Sequence, residues 1–164
     1  MQKNYFMDES TAAKKLHRMA YEIAEQNAEE GQLIMAGIRD NGVTLAHIIS
    51  RHVQAILHNQ IRVIEVGLDK RSPSGIQLSE DVDFNDAVVI LIDDVVNSGK
   101  TMLYALKPLL EFYPKKIQTL TLVERSHKMY PVASDYVGIS LATTLQEHIF
   151  VEVEEGRVTG AYLV

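Results

Sequence analysis

Apolar and polar positions alternate along this chain with two different periods, and the changes of period mark its elements. Ala12, Leu16, Met19, Ala20 and Ile23 recur every three or four residues, which predicts an amphipathic helix from about Asp8-Glu9-Ser10 to about Asn27. Acids at its start suit the positive end of the helix dipole. Leu33 to Gly37 is a short apolar strand, and Leu45, Ile48, Ile49 and Ile56 mark a second helix from about Val43 through Leu57. Ile61 to Leu68 is the next strand. From Asp69 to Asn85 all periodicity breaks, and irregular chain of that length in a compact domain is usually functional. Ala87 to Ile92 is then unbroken apolar sequence. A strand without alternation has both faces covered, so this run is a central parallel strand. A helix is expected from about Lys100 to Phe112, with Pro108 placed to kink or shorten it. Ile117 to Val123 and Tyr136 to Ile139 are further strands, and Ile149 to Glu154 with Val158 to Leu163 form a hairpin around Glu155-Gly156. The alternation predicts one α/β domain over 1–164, with a central, mainly parallel twisted sheet flanked by helices.

The chemistry sits where the unbroken strand ends. Asp93 and Asp94 follow Ile92 directly, and after Val95-Val96 comes the small polar turn Asn97-Ser98-Gly99-Lys100-Thr101. Ligands of open α/β sheets bind at the carboxyl ends of the strands. A turn opening a helix offers backbone N–H groups to an anion. Acids that hold hydroxyls or a hydrated metal, next to amides that hold phosphate, describe a pocket for a sugar phosphate. A P-loop is excluded by spacing, because the position five before Gly99 is Asp94 rather than glycine. No G-x-G-x-x-G is present either. From the residues alone, a strand, a turn and an N-capped helix with solvent-facing acids is the alternative.

Composition narrows the setting. The 164 residues suffice for one well-filled core. At 46% hydrophobic and 23% charged, the chain has the make-up of a soluble globular protein. No apolar run approaches the ~20 residues of a membrane helix, and MQKNYFMDES lacks a signal-peptide core. The absence of cysteine excludes disulfides and thiolate zinc sites and fits a cytoplasmic location. A net charge of −6 gives no general attraction to nucleic acid.

The stretch Asp93 to Thr101 resembles the hallmark of the type I phosphoribosyltransferases: a hydrophobic strand, two acids, two apolar residues and an x-[Thr/Ser]-Gly-x-[Thr/Ser] loop. The resemblance is closest to the PyrR family of pyrimidine-operon attenuators and uracil phosphoribosyltransferases. It extends to Ala20-Tyr21-Glu22-Ile23, to Ala36 through Ala46, and to Leu122 through His127 with Tyr130-Pro131-Val132 and Ala133 through Gly138. It implies a type I phosphoribosyltransferase fold with a small hood beside the C-terminal hairpin. It also implies transfer of a phosphoribosyl group from phosphoribosyl pyrophosphate (PRPP) to a nucleobase, with Mg²⁺ and a homodimer or larger assembly.

Carried onto this sequence, the resemblance assigns roles. Asn97, Ser98, Gly99, Lys100 and Thr101 hold the 5-phosphate, with Gly99 allowing close backbone approach. Asp93 and Asp94 hold the ribose hydroxyls, directly or through hydrated magnesium. Gly37, Ile38, Arg39, Asp40, Asn41 and Gly42 face the pyrophosphate, with Arg39 as its charged donor. Here the chain departs from its relatives' Lys-Thr-Arg-Gly type loop: the cation moves, and Asp40 stands beside an anionic leaving group, to point away or to help hold a metal. Asp69 to Asp83 takes the place of the mobile loop, with Arg71, Ser72 and Ser74 as candidates to touch the pyrophosphate. The relatives' Tyr-Arg-Asp-Asp element is missing from it.

Arg125, His127, Tyr136 and Val137 are the base-side residues, and the remaining histidines, dispersed at 17, 47, 52, 58 and 148, are read as structural. Hypoxanthine-type salvage enzymes carry an Asp where Asn97 stands; Asn cannot ionise, which disfavours a purine and leaves uracil as the leading base. Two alternatives stay open: a purine salvage transferase, and an RNA-binding regulator with little catalysis. For RNA the candidate cations are Lys14, Lys15 and Arg18 on one helix, and Lys115 with Lys116.

Overall fold

The computed structural model describes residues 1–69, 71 and 75–164. A six-stranded sheet forms its centre, in the order β4-β3-β2-β5-β6-β7. These strands are β2 (Gln32–Ile38), β3 (Gln60–Leu68), β4 (Ile76–Leu78), β5 (Val88–Val96), β6 (Lys116–Arg125) and β7 (Tyr136–Leu141). All neighbours in it run parallel except β4, which is antiparallel to β3. The helices are α1 (Glu9–Gln26), α2 (Asn41–Ile56) and α3 (Lys100–Ala105). A second, antiparallel sheet joins β1 (Asn4–Asp8) to the hairpin β8 (Ile149–Glu154) and β9 (Arg157–Leu163), in the order β1-β9-β8. This small sheet is the hood.

The unbroken apolar run has the physical origin expected of it. Val88, Ile90 and Ile92 of β5 face a core built with Leu16, Met19 and Ile23 of α1 and Leu45 and Ile49 of α2. Val89 and Leu91 face the other way, onto Ile34, Phe84, Met102 and Leu109. Both faces of β5 are therefore dry, and every position between the two ends must be apolar. Asp8 caps α1 by accepting the Thr11 amide at 2.8 Å, and Asn27 ends it.

Four local features differ from the pattern read along the chain. β5 does not stop before the acids but runs through them to Val96, because β6 stays in register alongside, Asp93 opposite Thr121 and Val96 opposite Glu124. The helix after Gly99 ends at Ala105 instead of Phe112; Pro108 then opens a separate 3₁₀ turn at Leu109–Glu111. Inside the aperiodic stretch, Ile76–Leu78 pairs with Val66–Leu68 as β4. β1 was not legible, because it is a mostly exposed edge strand that pairs with β9, at the far end of the chain.

Tyr136 opens β7 and is only 1% exposed. Its hydroxyl donates to Gln118 Oε1 at 2.8 Å, and the same oxygen accepts Asn27 Nδ2 at 3.1 Å. Burial pushes this hydroxyl up to about 12, so it stays a neutral donor. Tyr136→Phe removes one buried donor while Asn27 still serves Gln118. A loss of about 1 kcal/mol is expected, read as a lower urea midpoint at unchanged m-value, with ligand binding unaltered.

Candidate functional site

Three loops meet at the carboxyl end of the parallel strands: 39–42 after β2, 97–101 after β5, and 126–134 after β6. The first is held against β5 by backbone. A Cβ on Gly42 would lie 2.6 Å from the Ile92 carbonyl oxygen and 3.3 Å from Asp93 Cα. A Cβ on Gly37 would lie 2.6 Å from both the Gly42 carbonyl oxygen and Val43 Cα. No side chain fits at either position, so this turn and the acid-bearing end of β5 are in backbone contact.

The acids are buried, Asp93 to 1% and Asp94 to 8% exposure. Asp93 Oδ1 accepts the Asp94 amide at 2.9 Å, and Asp94 Oδ1 accepts the Val95 amide at 2.9 Å. Asn41 Nδ2 donates to Asp94 Oδ2 at 2.8 Å and to the Val151 carbonyl at 3.1 Å. One amide thus ties the carboxylate to the first turn of α2 and to the hood strand β8. The Asp94 carboxylate has acceptor capacity beyond these two bonds, which a hydroxyl or a hydrated cation can use.

Beyond them, Asp93, Val95 to Gly99, Thr101 and Met102 line a cavity of about 90 Å³. Gly99 lies at φ +86°, with Tyr130's carbonyl oxygen 3.3 Å from where its Cβ would be. The Ser98 carbonyl accepts both the Met129 and Tyr130 amides at 3.0 Å, which fastens the loop to the segment after β6. That segment is fixed in turn by Glu124, which pairs with Lys128 at 3.1 Å and accepts the Ser134 amide at 3.0 Å.

A second hollow, about 250 Å³, opens beside the first and shares Asn97 and Ser98 with it. Its other walls are Arg125, His127, Met129, Leu145 and His148. Arg125 donates to the Glu147 carbonyl at 2.7 Å, the Thr144 carbonyl at 3.3 Å and Asn97 Oδ1 at 3.4 Å. It acts as a strap between the two loops. The backbone amide of Thr144, then its hydroxyl, hold the Glu147 carboxyl below the usual range, which closes the same loop locally. Met129 and Leu145 are 84% and 92% exposed, two apolar side chains offered to a flat, apolar ligand face.

The structure brings Asp93, Asp94, Asn41, Asn97, Ser98, Gly99 and Thr101 together, with Arg125 and His127 in the adjoining hollow. Several expectations are corrected. Tyr136 is a core residue with its hydroxyl engaged, and it stands at the opposite, amino end of β7, so it offers nothing to a base. Val137 follows it there, its carbonyl accepting Arg18 at 3.0 Å. Arg39 is not a free cation: its Nε pairs with Glu65 at 2.6 Å, and the guanidinium lies against Gly67 on β3. Asp40 is exposed at the start of α2 and caps it with no side-chain bond. Arg71 donates its amide to Asp69 at 2.8 Å, whereas Ser72 and Ser74 lie outside the described residues. Sequence reasoning missed Met129, Leu145 and His148, which sit in aperiodic loops or beside a strand, where no spacing singles them out.

Comparison with known proteins fits this geometry. A family model described as phosphoribosyl transferase domain matches residues 6–155. The chain is 35% identical to the Bifunctional protein PyrR of Streptococcus gordonii over 155 residues, 91% of this chain and 90% of that one. Identity to the protein of that name from Streptococcus sanguinis is 36% over 155 residues, again 91% and 90% of the two chains. Among solved structures, a hypoxanthine-guanine phosphoribosyltransferase of Bacillus anthracis superposes with a TM-score of 0.76 at 17% identity, covering 97% and 96% of the two chains. A hypoxanthine phosphoribosyltransferase of Trypanosoma cruzi gives 0.79 at 14% identity, covering 96% and 95%. At such identities the superpositions speak for the fold alone.

Gly99→Ala forces a left-handed backbone on a residue with a Cβ and presses it on Tyr130, a cost of about 1–2 kcal/mol. The variant is expected to lose stability by that order, and affinity for inorganic phosphate by about tenfold, read by calorimetric titration.

Proposed function

The chain belongs to the type I phosphoribosyltransferase family, and on that premise we propose that it transfers a phosphoribosyl group from PRPP to uracil and releases pyrophosphate. The bond from the ribose anomeric carbon to the pyrophosphate oxygen breaks, and a bond from that carbon to a ring nitrogen of the base forms. The nitrogen's proton leaves to solvent. Positive charge gathers on the ribose ring as the leaving group departs. The observation that carries the reading is the adjacency of the buried pair Asp93 and Asp94 to the loop 97–101, within one sheet edge.

In this reading the amides of 97–101 and the hydroxyls of Ser98 and Thr101 grip the 5-phosphate. Lys100 adds charge from the same turn. Asp93 and Asp94 grip the ribose hydroxyls and favour the cationic ring as it forms. Asn41 is a positioning residue, since it fixes the Asp94 carboxylate. The amides of 37–42 face the pyrophosphate. The base enters between Met129 and Leu145, with Asn97, His127 and His148 around its edge. Arg125 positions Asn97 instead of meeting the base through a free guanidinium.

The two carboxylates also suit Mg²⁺, which takes one or two carboxylates together with substrate oxygens. Among the described residues no group of three or more His, Asp or Glu gathers as a self-sufficient site, so PRPP would complete the coordination. When bound, the ion neutralises charge on the leaving pyrophosphate.

Uracil rests on Asn97, which cannot ionise to handle a purine proton. RNA binding finds less support in the basic side chains the sequence offers. Lys15 and Arg18 donate to the carbonyls of Val137 and Gly138, and Lys115 pairs with Glu30. A homodimer or larger assembly and a cytoplasmic location rest on the family resemblance and composition; among the described residues no helix is long and apolar enough to cross a membrane.

The test incubates protein, PRPP and Mg²⁺ with uracil, hypoxanthine, guanine, xanthine, adenine or orotate and measures pyrophosphate release. Release is expected with uracil. Asp94→Asn is expected to lower the rate by about 10²-fold or more, about 2.7 kcal/mol of barrier, with the fold intact by circular dichroism. Release with hypoxanthine or guanine but not uracil would reverse the choice of base, and silence with every base would overturn the reading.

A further inference from the structure

Further along α2 from the loop 39–42, three elements enclose another cavity, one that the transferase reading does not use. Its volume is about 210 Å³, and it is lined by Glu9, Ala13 and Leu16 of α1, Ile48, Arg51 and His52 of α2, and Gly156, Arg157 and Val158 of the hood hairpin. The spacing makes this one stripe on each helix, at intervals of three and four residues. The floor is apolar, with Leu16, Ile48 and Val158 at 2%, 8% and 4% exposure. The rim is charged, and its balance is opposite to that of the chain. Against a net charge of −6 overall, the lining carries two arginines and a histidine with one glutamate.

The cations of the rim are not equivalent. Arg157 is already engaged, by Glu9 at 3.1 Å and Glu155 at 3.8 Å. Arg51 is exposed and, among the described residues, makes no hydrogen bond or ion pair. His52 lies 4.8 Å from the ring of His17 on α1, which in turn lies 5.0 Å from Tyr21. Burial, then the neighbouring His17 and Arg51, push His52 below its usual range. An apolar floor roomy enough for one small ring, next to an arginine unpartnered among the described residues and a histidine flanked by His17 and Arg51, has a definite complement: a ring-sized apolar body bearing one anionic group.

We propose that this cavity binds small amphipathic anions, an aromatic carboxylate or aryl phosphate, with the ring on Leu16, Ile48 and Val158 and the anion on Arg51 and His52. The site is separate from the acids of β5, and its existence does not depend on the transferase reading. It does share elements with that site. α2 carries Asn41 and the hairpin carries Val151, the two groups that bracket Asp94. A ligand seated here therefore leans on both supports of that carboxylate.

The test is an NMR titration of the full chain with benzoate, phenyl phosphate, benzyl alcohol and inorganic phosphate, following the His52 ring and the amides of 97–101. Benzoate and phenyl phosphate are expected to give saturable shifts at His52 and to raise its pKa, since an anion favours the imidazolium. Benzyl alcohol, lacking the charge, and inorganic phosphate, lacking the ring, are expected to bind at least tenfold more weakly there. Arg51→Glu, an exposed change expected to leave the thermal unfolding midpoint within a few degrees, should weaken benzoate binding at least tenfold. His52→Gln should weaken it too, while leaving the response of 97–101 to inorganic phosphate unchanged. Shifts confined to 97–101, equal binding of benzyl alcohol, or undiminished binding in folded Arg51→Glu would each overturn the proposal.

Discussion

The contact on which the site depends is one of backbone against backbone, where the turn at Gly42 lies on the carboxyl end of β5. With no Cβ at Gly37 or Gly42, α2 can begin immediately beside Asp93. Asn41 then reaches Asp94 with a single side chain and takes a second bond from it to Val151 of the hood. Moving this turn outward by the thickness of one methyl group would break that chain and unhitch the hood from the acids. The carboxylates are held in place by backbone amides and the Asn41 side chain, a fixed arrangement of polar groups.

A second consequence follows from the parallel sheet. Because β2, β5 and β6 point the same way, the loops that follow them collect at one edge although they are distant in sequence. The loop after β6 does more than border the site. It takes the Ser98 carbonyl with two amides and packs against Gly99, so the turn at 97–101 is shaped partly by residues 129–132. Arg125 extends the linkage by joining Asn97 to the loop at 144–147. The two hollows thus share the walls formed by Asn97 and Ser98.

The fold also distinguishes cations that have found partners from one that, among the described residues, has not. Arg39, Lys15, Arg18 and Lys115 look alike in sequence, as exposed charges near interesting segments. In the fold each has found a carbonyl or a carboxylate, and Arg39 in particular is drawn to Glu65 across β3. Arg51 has no such partner among the described residues, and it stands at the mouth of a cavity with an apolar floor.

The sequence by itself determined the elements with strong periodicity and the place of two acids and a glycine turn at the end of the central strand. The run Ala87 to Ile92 must be buried on both faces, and the two acids run on into a small polar turn that needs its glycine. Those signals are local, since burial fixes residue type position by position and a tight turn requires its glycine. What tertiary structure decided is everything that depends on a distant partner. β1 exists because β9 lies beside it, and β5 continues through its acids because β6 holds register there. Tyr136 and Arg39, plausible ligand residues in one dimension, are claimed by Gln118 and Glu65 in three. Met129, Leu145 and His148 gain a common hollow only when loops from different strands converge. No period or motif encodes such meetings, because side-chain availability is settled by neighbours that the chain brings together from afar.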